Sequence, residues 1–192
     1  MKVIVPAYNE EATIAETLAR LSGYDVIVVA NGCTDSTVER ARSAGGRVIE
    51  FGEALGSRRP IEMAMDDIND DILIIDADLE VPPSELKKFL PHVGEYDVIL
   101  GKREYVPRRS EEFCAKAFGI EDIFCTPVFY RREVVEELGL GYLTPYFAKL
   151  AGKAIKRVPV GYTPREGARL DDMKIYEGVI SELANFASAR RP

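Results

Sequence analysis

Short runs of branched aliphatic residues recur along the first half of the chain: Lys2 to Val5, Asp25 to Ala30, Arg47 to Phe51, Ile72 to Ile75 and Asp97 to Leu100. Most are apolar without alternation. That is the pattern of strands covered on both faces, since a half-exposed strand alternates apolar and polar positions. Between the runs the period changes. Ile14, Leu18 and Leu21 recur at the spacing of one helix face, and Asn9, Glu10 and Glu11 ahead of them predict a capped start with acids beside the positive end of the helix dipole. A second helix is predicted from Thr34 or Asp35 to Ala44, where Gly45-Gly46 stop it. Two more cover Arg59 to Ile68 and the stretch from Pro82-Pro83-Ser84 through Leu90. Strands and helices in this alternation predict an α/β fold with a mostly parallel sheet flanked by helices, and ligands at the carboxyl ends of the strands.

Beyond Gly101 the regularity breaks. Lys102 to Asp122 is charged and aperiodic around Pro107-Arg108-Arg109-Ser110, and reads as an irregular segment able to close over a site. Ile123 to Tyr130 is an apolar run interrupted by Pro127 and leads into a helix from Arg132 to Leu138. Thr144-Pro145 predicts an N-cap followed by proline in the first turn. Ala154 to Val160 reads as a strand with Pro159 at an edge. Ile175, Val179, Leu183 and Phe186 mark one face of a last helix.

Composition narrows the function classes. Hydrophobic residues make up 46% and charged residues 30%, enough for a packed core without staples. With 25 basic and 32 acidic side chains the net charge is −7, which lacks the basic footprint of a nucleic-acid binder, so no nucleic-acid partner is expected. Cys33, Cys114 and Cys125 show neither disulfide-framework nor zinc spacing, and His92 stands alone. The longest uncharged stretch, Leu138 to Ala148, contains glycine and proline and falls short of the about 20 apolar residues that span a bilayer. The first strand begins at Lys2 with no signal-peptide core before it. The expectation is a cytoplasmic protein without a transmembrane segment.

Three strand ends carry chemistry. Ile72-Leu73-Ile74-Ile75-Asp76-Ala77-Asp78 delivers two carboxylates, two positions apart, to the exit of a buried strand, where an extended backbone points both the same way. Such hard oxygen ligands suit Mg²⁺ or Mn²⁺ shared with phosphate; two solvated aspartates are the plain alternative. In Val5-Pro6-Ala7-Tyr8-Asn9-Glu10, Pro6 ends the ladder, Tyr8 offers a ring for stacking on a base, and Glu10 offers an acceptor to base or ribose. A plain strand–turn–helix has the same outline. Asn31, before Gly32, can read a nucleobase edge because its amide both donates and accepts, or can simply form the turn.

In this order the three strand ends resemble the family 2 glycosyltransferases of the GT-A fold, which use nucleotide-diphosphate sugars, and among them the compact polyprenyl-phosphate mannose and glucose synthases. The resemblance is carried by VIVPAYNEEATI (3–14), VIVVANGCTDST (26–37), ILIIDADLEVPPSEL (72–86), DVILGKR (97–103) and RVPVGYTPREG (157–167). It implies one GT-A domain over 1–192, with a nucleotide-binding half (1–101) and an acceptor-side half (102–192). It further implies that Pro6, Ala7, Tyr8, Glu10 and Asn31 line the nucleotide. Asp76 and Asp78 would hold Mg²⁺ or Mn²⁺ on the diphosphate, with Ala77 contributing backbone, and Arg103 and Arg165 would lie close to phosphate. Three departures stand out. Ala30-Asn31 replaces the usual two aspartates, Gly56-Ser57-Arg58-Arg59-Pro60 replaces Gly-Lys-Gly-x-Ala, and Arg165-Glu166-Gly167-Ala168-Arg169 lacks the usual late Ser-Lys.

The mechanism divides on the acceptor. A sugar hydroxyl needs a general base, and Asp122 of Glu121-Asp122 lies where the family often places one; a structural acid is the plain alternative. An acceptor phosphate is already ionised and needs cationic positioning instead; Arg108 or Arg109 is a candidate phosphate ligand on a segment able to close over the donor. The expected activity is therefore metal-dependent, inverting transfer from a GDP- or UDP-sugar to a sugar hydroxyl or a lipid (polyprenyl) phosphate. The alternatives are a catalytically degenerate domain that binds a nucleotide sugar, and a sugar nucleotidyltransferase, which would want a glycine-rich basic loop where Pro6-Ala7-Tyr8-Asn9-Glu10 stands. A lipid acceptor would call for peripheral membrane contact through the last helix and Arg190-Arg191, although Glu177 and Glu182 mark that helix as an ordinary surface helix.

Overall fold

The apolar runs become strands of a single sheet. In chain order these are β1 (Lys2–Ala7), β2 (Val26–Asn31), β3 (Arg47–Phe51), β4 (Ile72–Ile74), β5 (Val98–Lys102), β6 (Val128–Tyr130) and β7 (Ile155–Pro159). Across the seven-stranded sheet they lie in the order β3-β2-β1-β4-β6-β5-β7. The helices are α1 (Ile14–Arg20), α2 (Thr37–Ser43), α3 (Arg59–Ala64), α4 (Arg109–Phe118), α5 (Arg132–Leu138), α6 (Thr144–Leu150) and α7 (Asp172–Ala189). The computed structural model describes residues 1–56, 58–106, 108–164 and 172–189, with side chains described except at 172–174 and 187–189.

Successive strand residues point to opposite faces. Val3, Val5 and Ala7 join Val28, Leu73 and Ile99 in a core closed by Ile14 and Leu18 of α1 and Ala41 of α2. Ile4 joins Ile27, Ile72 and Val98 in the opposite core, closed by Ile61 of α3, Cys114 of α4, Val134 of α5, Phe147 of α6 and Ile175 of α7. Both faces are covered, which is why the strands read as unbroken apolar runs.

One strand reverses. β6 runs antiparallel to both β4 and β5, while the other ladders are parallel. The reversal sets the residues just before β6 at the same sheet edge as the carboxyl ends of its neighbours.

Several local expectations change. Asn9 does not cap α1: it takes a left-handed conformation, φ 53°, and its Oδ1 accepts the Thr34 N–H at 2.8 Å. The turn after β1 is thus tied to the turn after β2, and α1 starts at Ile14. Asp35 accepts the Thr37 N–H at 3.0 Å ahead of α2. After Pro82 the chain makes 3₁₀ turns, Pro83–Lys88 and Leu90–His92, instead of an α-helix. Thr144 is the first residue of α6, and Leu143 occupies the N-cap position without a side-chain hydrogen bond.

Lys102 to Asp122 is not irregular throughout, because it contains α4. The buried residues of that helix are Ser110, Glu111 and Cys114, so no apolar period announced it. In α7, Ile175 and Val179 are buried but Leu183 is 38% exposed; Glu182, read above as a surface residue, turns inward. Among the described residues no helix is long and apolar enough to cross a membrane. Cys33, Cys114 and Cys125 are unpaired thiols.

Candidate active site

The carboxyl ends of β1, β2, β4 and β5 and the approach to β6 converge on one cavity of about 550 Å³. Pro6 and Ala7 end β1 at its wall, and Tyr8, 43% exposed, stands beside them. Glu10 lines the same wall. Its main-chain N–H donates to Thr37 Oγ1 at 2.7 Å, which pins this turn to α2.

Asn31 lines the cavity too, but its amide is engaged at both ends. Oδ1 accepts the Leu55 N–H at 2.8 Å and Nδ2 donates to the Gly56 carbonyl at 2.8 Å. Asn31 therefore holds the 55–56 loop in place and does not present both amide groups to a base. Gly32 serves the same closure: its φ is +65°, and a Cβ there would run into the backbone at Ala54.

β4 ends at Ile74, although the Ile75 N–H still donates to the Ile4 carbonyl at 3.0 Å. Asp76, Ala77 and Asp78 follow on the cavity wall. Thr126 Oγ1 donates to Asp76 Oδ2 at 2.6 Å, and the Glu80 N–H donates to Asp78 Oδ1 at 3.1 Å. Among the described residues no cluster of three or more acid, histidine or cysteine side chains could hold a metal alone. The pair nonetheless fits Mg²⁺ or Mn²⁺ as these ions are usually bound, through one or two carboxylates completed by substrate phosphate oxygens.

The opposite wall is ionic. Arg103, just past β5, has a side chain only 9% exposed. Its Nε and Nη2 donate to the Asp122 carboxylate at 3.1 and 2.5 Å, its main-chain N–H donates to Asp122 Oδ2 at 2.8 Å, and Nη2 also reaches Glu111 Oε2 at 2.6 Å. Arg108 Nη1 donates to Glu111 Oε1 at 3.1 Å. Burial alone would pull the Arg103 guanidinium down, but Asp122 and Glu111 hold it above its ordinary value. The Tyr162 ring covers it, 5.1 Å from guanidinium carbon to ring centroid. Burial, with Glu80 adding to it, pushes the Tyr162 phenol up to about 12.

Of the residues singled out from sequence, Pro6, Ala7, Tyr8, Glu10, Asn31, Asp76, Ala77, Asp78 and Arg103 share this cavity. Asp122 does not line it. A general base must reach the acceptor's proton, whereas the Asp122 carboxylate is 1% exposed and clamped on Arg103. Arg165 lies outside the described residues. So do Ser57, Arg169, Arg190 and Arg191. Arg131 and Arg132 are engaged elsewhere, Arg131 on the Gly94 and Tyr96 carbonyls and Arg132 on Glu136. Sequence reasoning missed Thr126, Glu111, Tyr142 and Tyr162 as cavity residues. Thr126 is brought there by the reversal of β6, and Glu111 by a helix with no apolar period.

The model of the family described as glycosyl transferase family 2 matches residues 2–139. The undecaprenyl-phosphate 4-deoxy-4-formamido-L-arabinose transferase of Klebsiella pneumoniae is 23% identical over 199 aligned positions, which cover 86% of this chain and 60% of that protein. The chain thus spans about 60% of the length of that curated relative. The crystal structure of Mycobacterium tuberculosis glucosyl-3-phosphoglycerate synthase aligns with a TM-score of 0.75 at 21% identity, over 94% of this chain and 79% of that one. The complex of that enzyme with Mn²⁺ and uridine-diphosphate-glucose aligns with a TM-score of 0.75 at 23% identity, over 96% of this chain and 77% of that one. At this identity the structural agreement establishes the fold.

Proposed function

The chain belongs to glycosyl transferase family 2, and from that premise we propose that it transfers a sugar from a UDP-sugar to a hydroxyl or polyprenyl-phosphate acceptor in a metal-dependent, inverting reaction. The observation that carries this reading is the convergence of Tyr8, Glu10, Asp76 and Asp78 with the Arg103 wall on one cavity. A UDP-sugar is favoured over a GDP-sugar because the Mycobacterium tuberculosis enzyme that shares the fold was crystallised with Mn²⁺ and uridine-diphosphate-glucose. A polyprenyl-phosphate acceptor draws support from the Klebsiella pneumoniae relative, an undecaprenyl-phosphate transferase.

In this reading residues 1–101 supply the donor side and 102–192 the acceptor side. Tyr8 stacks on the base beside Pro6 and Ala7, and Glu10 accepts from base or ribose. Asn31 shapes the nucleoside end by carrying the 55–56 loop. Asp76 and Asp78 hold Mg²⁺ or Mn²⁺, with Ala77 giving backbone, and Thr126 orients Asp76. The ion neutralises charge that develops on the leaving diphosphate. Arg103, with Arg165, adds cationic stabilisation at phosphate, and the acceptor attacks the anomeric carbon from the opposite face. Asp122 serves by holding Arg103. Its use as the base for a hydroxyl acceptor is the second reading, favoured only by its place beside Arg103 next to the cavity. A cytoplasmic setting, where thiols stay reduced, suits the three unpaired cysteines.

Calorimetric titration with UDP, GDP and their sugar conjugates, each with and without Mn²⁺, tests the reading. Metal-dependent binding of UDP and UDP-sugars is the expected result. Preference for GDP would change the donor. Nucleotide-sugar binding without transfer to any acceptor would make this a degenerate domain, and no nucleotide binding at all would overturn the assignment.

A further inference from the structure

The cavity floor is completed from α7, a helix beyond the residues matched by the family model. Ile175, Gly178 and Glu182, at helical spacing on α7, face the same region. Ile175 lines the cavity. Gly178 leaves a slot for the Tyr142 ring: a Cβ at this position would come within 2.6 Å of Tyr142 Cε2. Glu182 fixes the chain that carries the ring, its Oε1 accepting the Tyr142 N–H at 2.6 Å and its Oε2 the Leu143 N–H at 2.8 Å. Phe124 meets the ring edge-on, with centroids 5.6 Å apart and planes at 83°. The Arg58 guanidinium carbon lies over the same ring, 5.6 Å from its centroid.

Arg58 differs from the other two arginines of the cavity. Arg103 and Arg108 are ion-paired with Asp122 and Glu111. Arg58 forms no ion pair among the described residues, and its Nε is buried without a hydrogen-bond partner. A guanidinium held by its π-face on an aromatic ring keeps its edge for an anion, and phosphate is the anion its fork matches.

We propose that Glu182 is a positioning residue that seats the Tyr142 ring in the Gly178 slot and, through that ring, aims Arg58 at a phosphate group of a bound substrate. The proposal rests on the glycosyltransferase reading for the supply of that phosphate, which is either the donor diphosphate or an acceptor phosphate. Glu182 also lies within electrostatic range of Arg58, so its influence on a phosphate passes through Arg58, by way of the ring and of its charge.

The test compares Glu182→Gln, Gly178→Ala and Arg58→Ala, alone and combined with one another. It uses titrations of Mn²⁺-loaded protein with UDP, with uridine, and with inorganic phosphate at saturating UDP. Thermal melts identify any variant that does not fold, and Tyr142→Leu is the substitute if Gly178→Ala does not. Expected is an about tenfold weakening toward phosphate-bearing probes, none toward uridine, and no further loss when Glu182→Gln is added to Arg58→Ala. Loss toward UDP assigns Arg58 to the donor, and loss confined to inorganic phosphate assigns it to the acceptor. Additive losses, an equal loss toward uridine, or unchanged affinities overturn the positioning role. Wild-type protein that binds neither UDP nor phosphate overturns the glycosyltransferase reading itself, an outcome distinct from any variant result.

Discussion

Two pairs of carboxylates, one on the cavity wall and one behind Arg103, stand in opposite surroundings. Asp76 and Asp78 are half-buried and accept neutral donors, the Thr126 hydroxyl and the Glu80 N–H. Glu111 and Asp122 are buried, 3% and 2% exposed, and meet the guanidinia of Arg103 and Arg108. A buried ion costs several kcal/mol unless it is paired. The Glu111–Asp122 pair is therefore locked by its arginines and acts as a frame, whereas Asp76 and Asp78 stay partly exposed on the cavity wall. The residue types are the same, and the partners decide the role.

The largest effect should come from breaking the locked wall. Arg103→Met strands the buried Asp122 carboxylate and leaves Glu111 with Arg108 alone, and is expected to cost about 3–5 kcal/mol of stability in denaturant unfolding. Combining it with Glu111→Gln and Asp122→Asn should recover part of that loss. A single variant as stable as wild type would show that the wall is not a frame. On the open wall, Asp78→Asn should leave the melting temperature near that of wild type but remove Mn²⁺-dependent nucleotide binding and lower transfer by about 10²–10³-fold. Unchanged Mn²⁺-dependent affinity would remove the metal from this pair.

Asp122→Asn separates the frame role from the base role. It removes the charge and one acceptor from the Arg103 clamp, for an expected cost of about 1–3 kcal/mol, and should slow transfer to hydroxyl and to lipid-phosphate acceptors alike. A loss confined to hydroxyl acceptors would return Asp122 to the role of base. The smallest effect is a pH dependence. Burial holds the Glu182 carboxyl above its ordinary pKa, against the pull of the Leu143 and Tyr142 N–H groups. Folded chains then bind more protons than unfolded ones above the ordinary carboxyl range. The contribution of Glu182 is thus full below the unfolded pKa and is lost as pH rises through the folded value. Unfolding titrations should show Glu182→Gln flattening that slope, and an unaltered slope would deny the shift.

The sheet and the strand ends at the cavity were legible because each depends on local chemistry. A strand buried on both faces must be apolar throughout, and a strand that ends in Asp76-Ala77-Asp78 places those groups at its exit whatever lies opposite. The same reasoning went astray wherever a residue's partner is distant in sequence. Asn9, read as a cap, is claimed by a turn more than twenty positions away, and Asn31, read as a base reader or a turn former, holds the 55–56 loop from the cavity wall. α4 hid because its buried face carries Glu111, tolerated only because Arg103 and Arg108 meet it there.

By itself, then, the sequence determined the order of strands and helical segments as far as Gly101, the double coverage of the sheet, and the cluster of Pro6, Tyr8, Glu10, Asp76 and Asp78 at one edge, since periodicity and strand direction need no knowledge of a partner. Only the tertiary structure decided that β6 runs backwards and brings Thr126 to Asp76, that Asp122 faces Arg103 and not the cavity, and that Glu182 reaches under Tyr142. Each of those depends on which side chains meet across the fold, and a charge or an amide has no settled role until its partner is in place.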